Sequence, residues 1–259
     1  MIFTAVLGLL TGVYVYDTFF PALSELGGEQ RFITLSMVMD IRYGYVAIAL
    51  GIIFLALSFF LNSIDPAKKF DRGQEKQPLL RREWGWLPTG IIAGLMIFIT
   101  TAQGQYLSFS GSFLALGAHI ADFFGWTMQS VPAVSDNTAW RAMLILGVFP
   151  GAFLSSLLAN TIKQEKVTPL FQAAFGNRLY LRLATVFIGG VLMIVGALTG
   201  GGCTTGAFMS GWPTLSIGSF AMGMTFFGTA MLTAHILYFR RYRLVHEVKE
   251  KERLNLAND

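Results

Sequence analysis

The stretch LTGGGCTTGAFMSGW, residues 198–212, holds the only cysteine of the chain, Cys203, with Gly200, Gly201 and Gly202 before it and Thr204, Thr205 and Gly206 after it. A thiol is soft and polarisable, and its ionised form exchanges with other sulfur atoms. Each glycine weakens a helix interior by roughly 1 kcal/mol relative to alanine. Three in a row therefore predict that a helix stops near residue 200. A short helix restarting at CTTGAF would present unpaired backbone N–H groups and the positive end of a dipole, a combination that suits an anion. Thr204 and Thr205 add hydroxyl donors. A free cysteine also serves as a small buried apolar residue, and glycines in membrane helices also let neighbours approach closely. Residue types and spacing leave both readings open.

A second group is more dispersed. Gln103, Gln105 and Tyr106 precede serines at 108, 110 and 112, and Gln105 and Ser110 are candidates for a polar path. His119 and Asp122 lie three apart in GAHIADFFGW, which puts them on one face of a helix. Ionisable groups at membrane depth are candidates for function, so both join that path. Asp17 and Asp40 fall near the ends of apolar runs, Asp40 within reach of Arg42, and His235 reads as a packed or interfacial histidine.

Other chemistries are excluded or find no support. One cysteine cannot form an intramolecular disulfide, nor a metal site of several thiolates from this chain alone. The three histidines, His119, His235 and His246, show no zinc or haem spacing. There is no phosphate loop and no dinucleotide fingerprint. The expectation is a protein that is not an enzyme, with no catalytic residue, no metal and no cofactor. The net charge of +4 calls for no nucleic acid, because the basic residues sit in loops.

The elements that must position Cys203 are membrane helices. Of 259 residues, 54% are hydrophobic and only 13% charged, against about 25% charged in soluble domains. Mean hydropathy is +0.56. Runs at about 2–23, 43–62, 87–107, 139–160, 183–199 and 214–239 approach or exceed the roughly 20 residues that cross a bilayer. The first has no charged start and reads as a retained helix. Loops 63–86 and 161–182 and the tail from Arg240 carry six, four and six of the 19 basic residues, whereas loop 126–138 carries none. Six spans with both termini in the cytoplasm place all three basic segments on one side, as the positive-inside rule requires. Segments 30–42, 109–125 and 200–213 are too short to span and fall on the basic-poor side. Such segments re-enter the membrane or lie at its interface, and irregular backbone at depth must face protein or a cavity. The pattern of span, short segment and span occurs three times, a weak internal repeat. The expected fold is an all-α polytopic membrane protein of one transmembrane domain, 1–239. It has a connector loop at 63–86 and a basic cytoplasmic tail, 240–259, whose start suits the headgroup region.

The segment GGVLMIVGALTGGGCTTGAFMSG, followed by LSIGSFAMGMTFFGTAML, resembles the YeeE/YedE family of membrane proteins. GLMIFITTAQGQYLSFSGSFLALG and LILGVFPGAFLSSLLA are similar to its upstream pieces, so the resemblance covers about 88–239. It implies an inner-membrane permease for a small sulfur-containing anion such as thiosulfate, with broken helices meeting at a central constriction. Cys203 matches the family's second-half cysteine, and Gly201, Gly202, Thr204 and Gly206 match its surroundings; with Thr205 they form the expected substrate-binding set. The family's first-half cysteine follows an Arg-Phe pair; here Arg31 and Phe32 are present and Ile33 stands in its place. That departure, with a shortened first half and 14% aromatic residues, supports a second reading from another class. In it, the chain is a non-transporting structural subunit of a larger membrane complex. A persulfide-carrying membrane enzyme is a third and weaker reading, because no base or resolving cysteine lies near Cys203 in sequence.

Overall fold

A computed structural model describes residues 1–26, 33–64, 86–131, 133–159, 171–172, 175–176 and 178–238. The expected connector loop and C-terminal tail lie almost wholly outside these residues. The chain is helical: α1 (Ile2–Leu26), α2 (Leu35–Met39), α3 (Tyr43–Ile64), α4 (Trp86–Ala102), α5 (Phe109–Phe123), α6 (Asp136–Leu158), α7 (Leu179–Thr199), α8 (Thr204–Gly206, continued by a π-helical turn, Ala207–Gly211) and α9 (Ile217–Tyr238). Among the described residues, α1, α3, α6, α9 and the run that begins with α7 are long and apolar enough to cross a membrane. The expected third span is a shorter apolar helix, Leu87–Ala102. The protein is an all-α polytopic membrane protein.

Glycine sets where several helices end. α4 stops five residues before the expected 107 because Gly104 adopts φ +71°. Gln105 N–H then reaches Thr100 C=O at 2.9 Å and Gly104 N–H reaches Thr101 C=O at 3.0 Å. This pair of bonds is the Schellman arrangement, which satisfies the last carbonyls of a helix and needs a left-handed residue. The same closure ends α5 at Gly125 (φ +73°) and α7 at Gly201 (φ +84°). The turn after α8 closes in this way too, but with Leu215 at φ +57°. A non-glycine residue there costs about 1–2 kcal/mol. The leucine residue is 3% exposed, and the packing around it holds the backbone in this conformation.

The tightest helix pair is α1 against α7. Lipid offers no hydrophobic drive for helix association, so close backbone approach must supply it. A Cβ added at Gly8 would lie 2.5 Å from Phe187 O, and one at Gly12 would lie 2.1 Å from Ile194 Cγ2. Gly190 faces Ala5 and Gly8 in the same seam. Next to this pair lies α5. It is too short to span, yet Ser110, Ser112, Phe113, Ala115, Gly117, Ala118 and Ala121 are buried. Phe113, Ala118 and Ala121 join Val13 of α1, Ile145 of α6 and Ile194 of α7 in the core. Segment 109–125 is thus a core helix enclosed by longer ones. Its far end is fixed by Asp17 of α1, whose carboxylate accepts from Gln129 N–H, Ser130 N–H and the Ser130 hydroxyl at 3.2, 2.7 and 2.6 Å.

Segment 30–42 contributes α2 and one strand-like contact. Leu35 N–H donates to Leu215 O at 2.8 Å and Ile217 N–H to Ile33 O at 3.2 Å, pairing Thr34 with Ser216 antiparallel. Tyr43 donates its hydroxyl to Pro213 O, and Phe54 stacks on Trp212. These contacts tie α2 and α3 to the turn between α8 and α9.

Candidate functional site

The break between α7 and α8 does what its glycines predict, and each has its own reason. Gly200 is approached by the Met222 methyl group, which a Cβ would meet at 2.5 Å. Gly201 supplies the left-handed turn, and Gly202 N–H closes onto Ala197 O at 2.7 Å. The chain then reverses into extended backbone at Cys203 (φ −105°, ψ 175°), the N-cap of α8.

Cys203 Sγ accepts from Gly206 N–H at 3.4 Å, as an N-cap side chain does. It also accepts from Ser110 N–H at 3.4 Å. Ser110 stands in the first turn of α5, whose N-cap is Ser108. The starts of two short helices from distant parts of the chain therefore point backbone donors at one sulfur. Ser108 Oγ lies 4.0 Å from that sulfur and 3.4 Å from Ser110 Oγ. Gly206 closes the third side: a Cβ there would come within 2.9 Å of Ser108 Oγ.

Two cavities flank this narrow point. One, of about 440 Å³, is bordered by Ser108, Gly206, Ser210, Thr214 and Ser219 and reaches Gly201, Gly202 and Met222. The other, of about 160 Å³, is bordered by Ser110, Cys203, Thr204 and Thr205 and reaches Ile194, Met193 and Phe226. Met222 and Phe226 are one turn apart on α9, so the cavities are displaced along that helix by about 6 Å. The first is rich in hydroxyls; the second mixes hydroxyls with aromatic and aliphatic side chains. None of the described residues lining either cavity carries a formal charge. A third cavity, of about 680 Å³ and almost wholly apolar, opens between α4 and α6 and touches Ser108 and Thr205. Among the described residues no group of three or more His, Cys, Asp or Glu side chains could hold a metal ion.

Cys203 thus lines the smaller cavity, while Ser108 and Gly206, which pack beside it, line the hydroxyl-rich one. The family model for sulphur transport matches residues 1–232. The chain belongs to the sulphur transport family. Among curated relatives, "Probable transporter YedE" of Escherichia coli is 27% identical over 152 residues, covering 56% of this chain and 35% of the relative. "Thiosulfate transporter TsuA" of Spirochaeta thermophila is 29% identical over 157 residues, 58% of this chain and 39% of the relative. "Probable transporter YedE" of Salmonella typhimurium is 27% identical over 150 residues, 55% of this chain and 35% of the relative. The chain thus spans little more than a third of the relatives it matches. No solved structure matches it.

Of the residues expected from the sequence, Ser110, Cys203, Thr204 and Thr205 border the smaller cavity and Gly201, Gly202 and Gly206 the hydroxyl-rich one. Gln105, His119 and Asp122 border neither. Gln105 donates to Asn137 Oδ1 at 2.5 Å, tying the loop before α5 to the start of α6. His119 has a buried Nε2 without a hydrogen-bond partner, and Asp122 is exposed at the end of α5. Ser108 reads in the sequence only as one member of a serine cluster, not as a site residue of its own. It stands in the same serine cluster as Ser110, and only its N-cap position before a glycine-containing apolar run marks it out.

Proposed function

We propose that this protein is an inner-membrane permease for a small sulfur-containing anion such as thiosulfate. The observation that carries this reading is the convergence of Gly206 N–H and Ser110 N–H on Cys203 Sγ, at the wall between two uncharged cavities. Backbone donors at helix starts stabilise negative charge without a fixed cation. A site with no Lys or Arg holds an anion loosely enough to let it go, which a conduit requires and a tight receptor does not. The thiol meets the soft sulfur of the passing ion. The relatives named as transporters, one of them for thiosulfate, support the same substrate class. Nothing in this sequence of contacts calls for covalent or redox turnover.

With both ends of the chain cytoplasmic, the hydroxyl-lined cavity faces the outside and the smaller one lies toward the cytoplasm. The ion then enters past Ser219 and Ser210 and crosses at Cys203. Labelled thiosulfate uptake in cells lacking their own route tests the proposal. Wild type supports uptake, Cys203→Ser retains a small fraction, and Cys203→Ala lowers it by about tenfold or more, as expected when a hydrogen-bonding partner is removed from a desolvated site. Normal uptake by Cys203→Ala would remove the thiol from the mechanism.

The alternative, a structural subunit of a membrane complex, draws support from the helical faces of α3 and α9. These leave large apolar side chains such as Tyr45, Ile52, Phe60, Met224 and Ile236 more than half exposed. Lipid covers such faces equally well. Stoichiometric partners co-purifying with a protein that shows no uptake would decide for this reading.

A further inference from the structure

We infer that Ser108 is the residue that selects the oxygen-bearing end of the substrate, opposite the thiol that takes its sulfur end. The inference rests on the permease reading and deepens it. Ser108 has two separable duties. Its oxygen accepts from Gly111 N–H at 3.3 Å and so caps α5. Its own proton remains to be placed. The candidate acceptors are Ser110 Oγ at 3.4 Å and Cys203 Sγ at 4.0 Å, both long for a hydroxyl donor. Among the described residues no backbone carbonyl takes it. The Ser108 hydroxyl is therefore a donor poised beside the sulfur and free to turn to an incoming oxygen.

Position strengthens the argument. Ser108 borders the hydroxyl-lined cavity, together with Ser210, Thr214 and Ser219, and also touches the apolar cavity between α4 and α6. Of the three cavities, Cys203 borders only the small drier one, with Phe109, Ile194 and Phe226. An ion whose two ends differ, one with hard, hydrated oxygens and one with a soft sulfur, finds matched surroundings on the two sides of the Ser108–Cys203 pair. Such an ion crosses sulfur end first, its oxygens held by Ser108 until the thiol has engaged the sulfur. An anion with oxygens alone gains from Ser108 and nothing from Cys203. A bare hydrosulfide ion does the reverse.

That difference supplies the test. In membranes containing the full chain, protection of Cys203 from maleimide alkylation is titrated with thiosulfate and, separately, with hydrosulfide. Each rate is taken relative to a soluble control thiol in the same sample, because hydrosulfide itself consumes maleimide. Variants Ser108→Ala, Ser108→Asp and Ser108→Thr are compared with wild type, and thiosulfate uptake is measured in parallel. Ser108→Ala is expected to raise the thiosulfate concentration for half-protection by about tenfold, the effect of one lost hydrogen bond to a charged group, and to leave the hydrosulfide value within about twofold. Ser108→Asp keeps an N-cap acceptor but places negative charge at the narrow point, so folding and alkylation persist while thiosulfate protection and uptake vanish. Ser108→Thr, which keeps the hydroxyl, restores protection. Unchanged thiosulfate protection in Ser108→Asp, or equal losses for both ions in Ser108→Ala, would overturn the role given to Ser108 and leave the permease reading standing. No protection and no uptake in wild type would overturn both.

Discussion

At the scale of single residues, the site depends on small side chains as much as on reactive ones. Gly206 donates to Cys203 and faces Ser108 so closely that any Cβ must push the serine aside. Gly206→Ala keeps good helix geometry and gains helix propensity, so the protein should insert and fold as before. The methyl group narrows the gap between the cavities, and uptake should fall by about tenfold or more with membrane yield unchanged. Full uptake by this variant would show that the passage lies elsewhere. Cys203 was legible as the residue that follows a helix break because three glycines stand directly before it. Its partners were not. Ser108 and Ser110 lie more than ninety positions away, and no periodicity links the start of one short helix to that of another. Gln105, His119 and Asp122 share the polarity that marked Ser110. Polarity does not say which face of an element meets a cavity, and these three meet other surroundings.

At the scale of elements, the fold is governed by where helices stop and how closely they touch. Span positions were readable from apolar length. The ends were readable only where a glycine was recognised as a left-handed stop, so α4 finishes at Ala102 and not at 107. The burial of α5 was half legible: its length excluded a span, but only the three-dimensional arrangement shows α1, α6 and α7 enclosing it. The α1–α7 seam makes a sharp prediction. Gly12→Val places side-chain atoms where Ile194 already sits, an overpacking that costs about 1–3 kcal/mol or more. Thermal unfolding in detergent should shift to a clearly lower temperature. Gly94→Val has open space around its Cβ position on α4 and should change unfolding much less. Equal effects of the two would mean the seam is not as tight as described.

At the scale of the whole molecule, chain segments far apart in sequence meet at the turn between α8 and α9. The pairing of Thr34 with Ser216 has no sequence signal, since one bridged pair is too short for alternation to show. Its hydrogen bonds flank the pair instead of joining it, a geometry in which the two Cα atoms lie about 4.5 Å apart. That falls within the range of natural disulfides. In a Cys203→Ser background, Thr34→Cys with Ser216→Cys should cross-link readily under mild oxidation, seen as loss of two free thiols by mass. Failure to cross-link would show that the first and last thirds of the chain do not meet here. The family match over 1–232 is consistent with a scaffold that needs both thirds to build one site.

The aromatic cluster at the junction of α3, α8 and α9 has a practical side. Trp212 stacks with Phe54 and Phe220, lies 4.2 Å from Phe208 between ring centroids, and donates its indole N–H to Ser219 O. Ser219 borders the hydroxyl-lined cavity. An indole so placed shares one hydrogen bond with the rim of that cavity and rests on a ring from each of three helices. Its emission wavelength reads the polarity around the ring, and its intensity reads the donor bond. With Trp84, Trp86, Trp126 and Trp140 replaced by phenylalanine, Trp212 becomes the sole indole and an optical gauge of changes at the edge of that cavity.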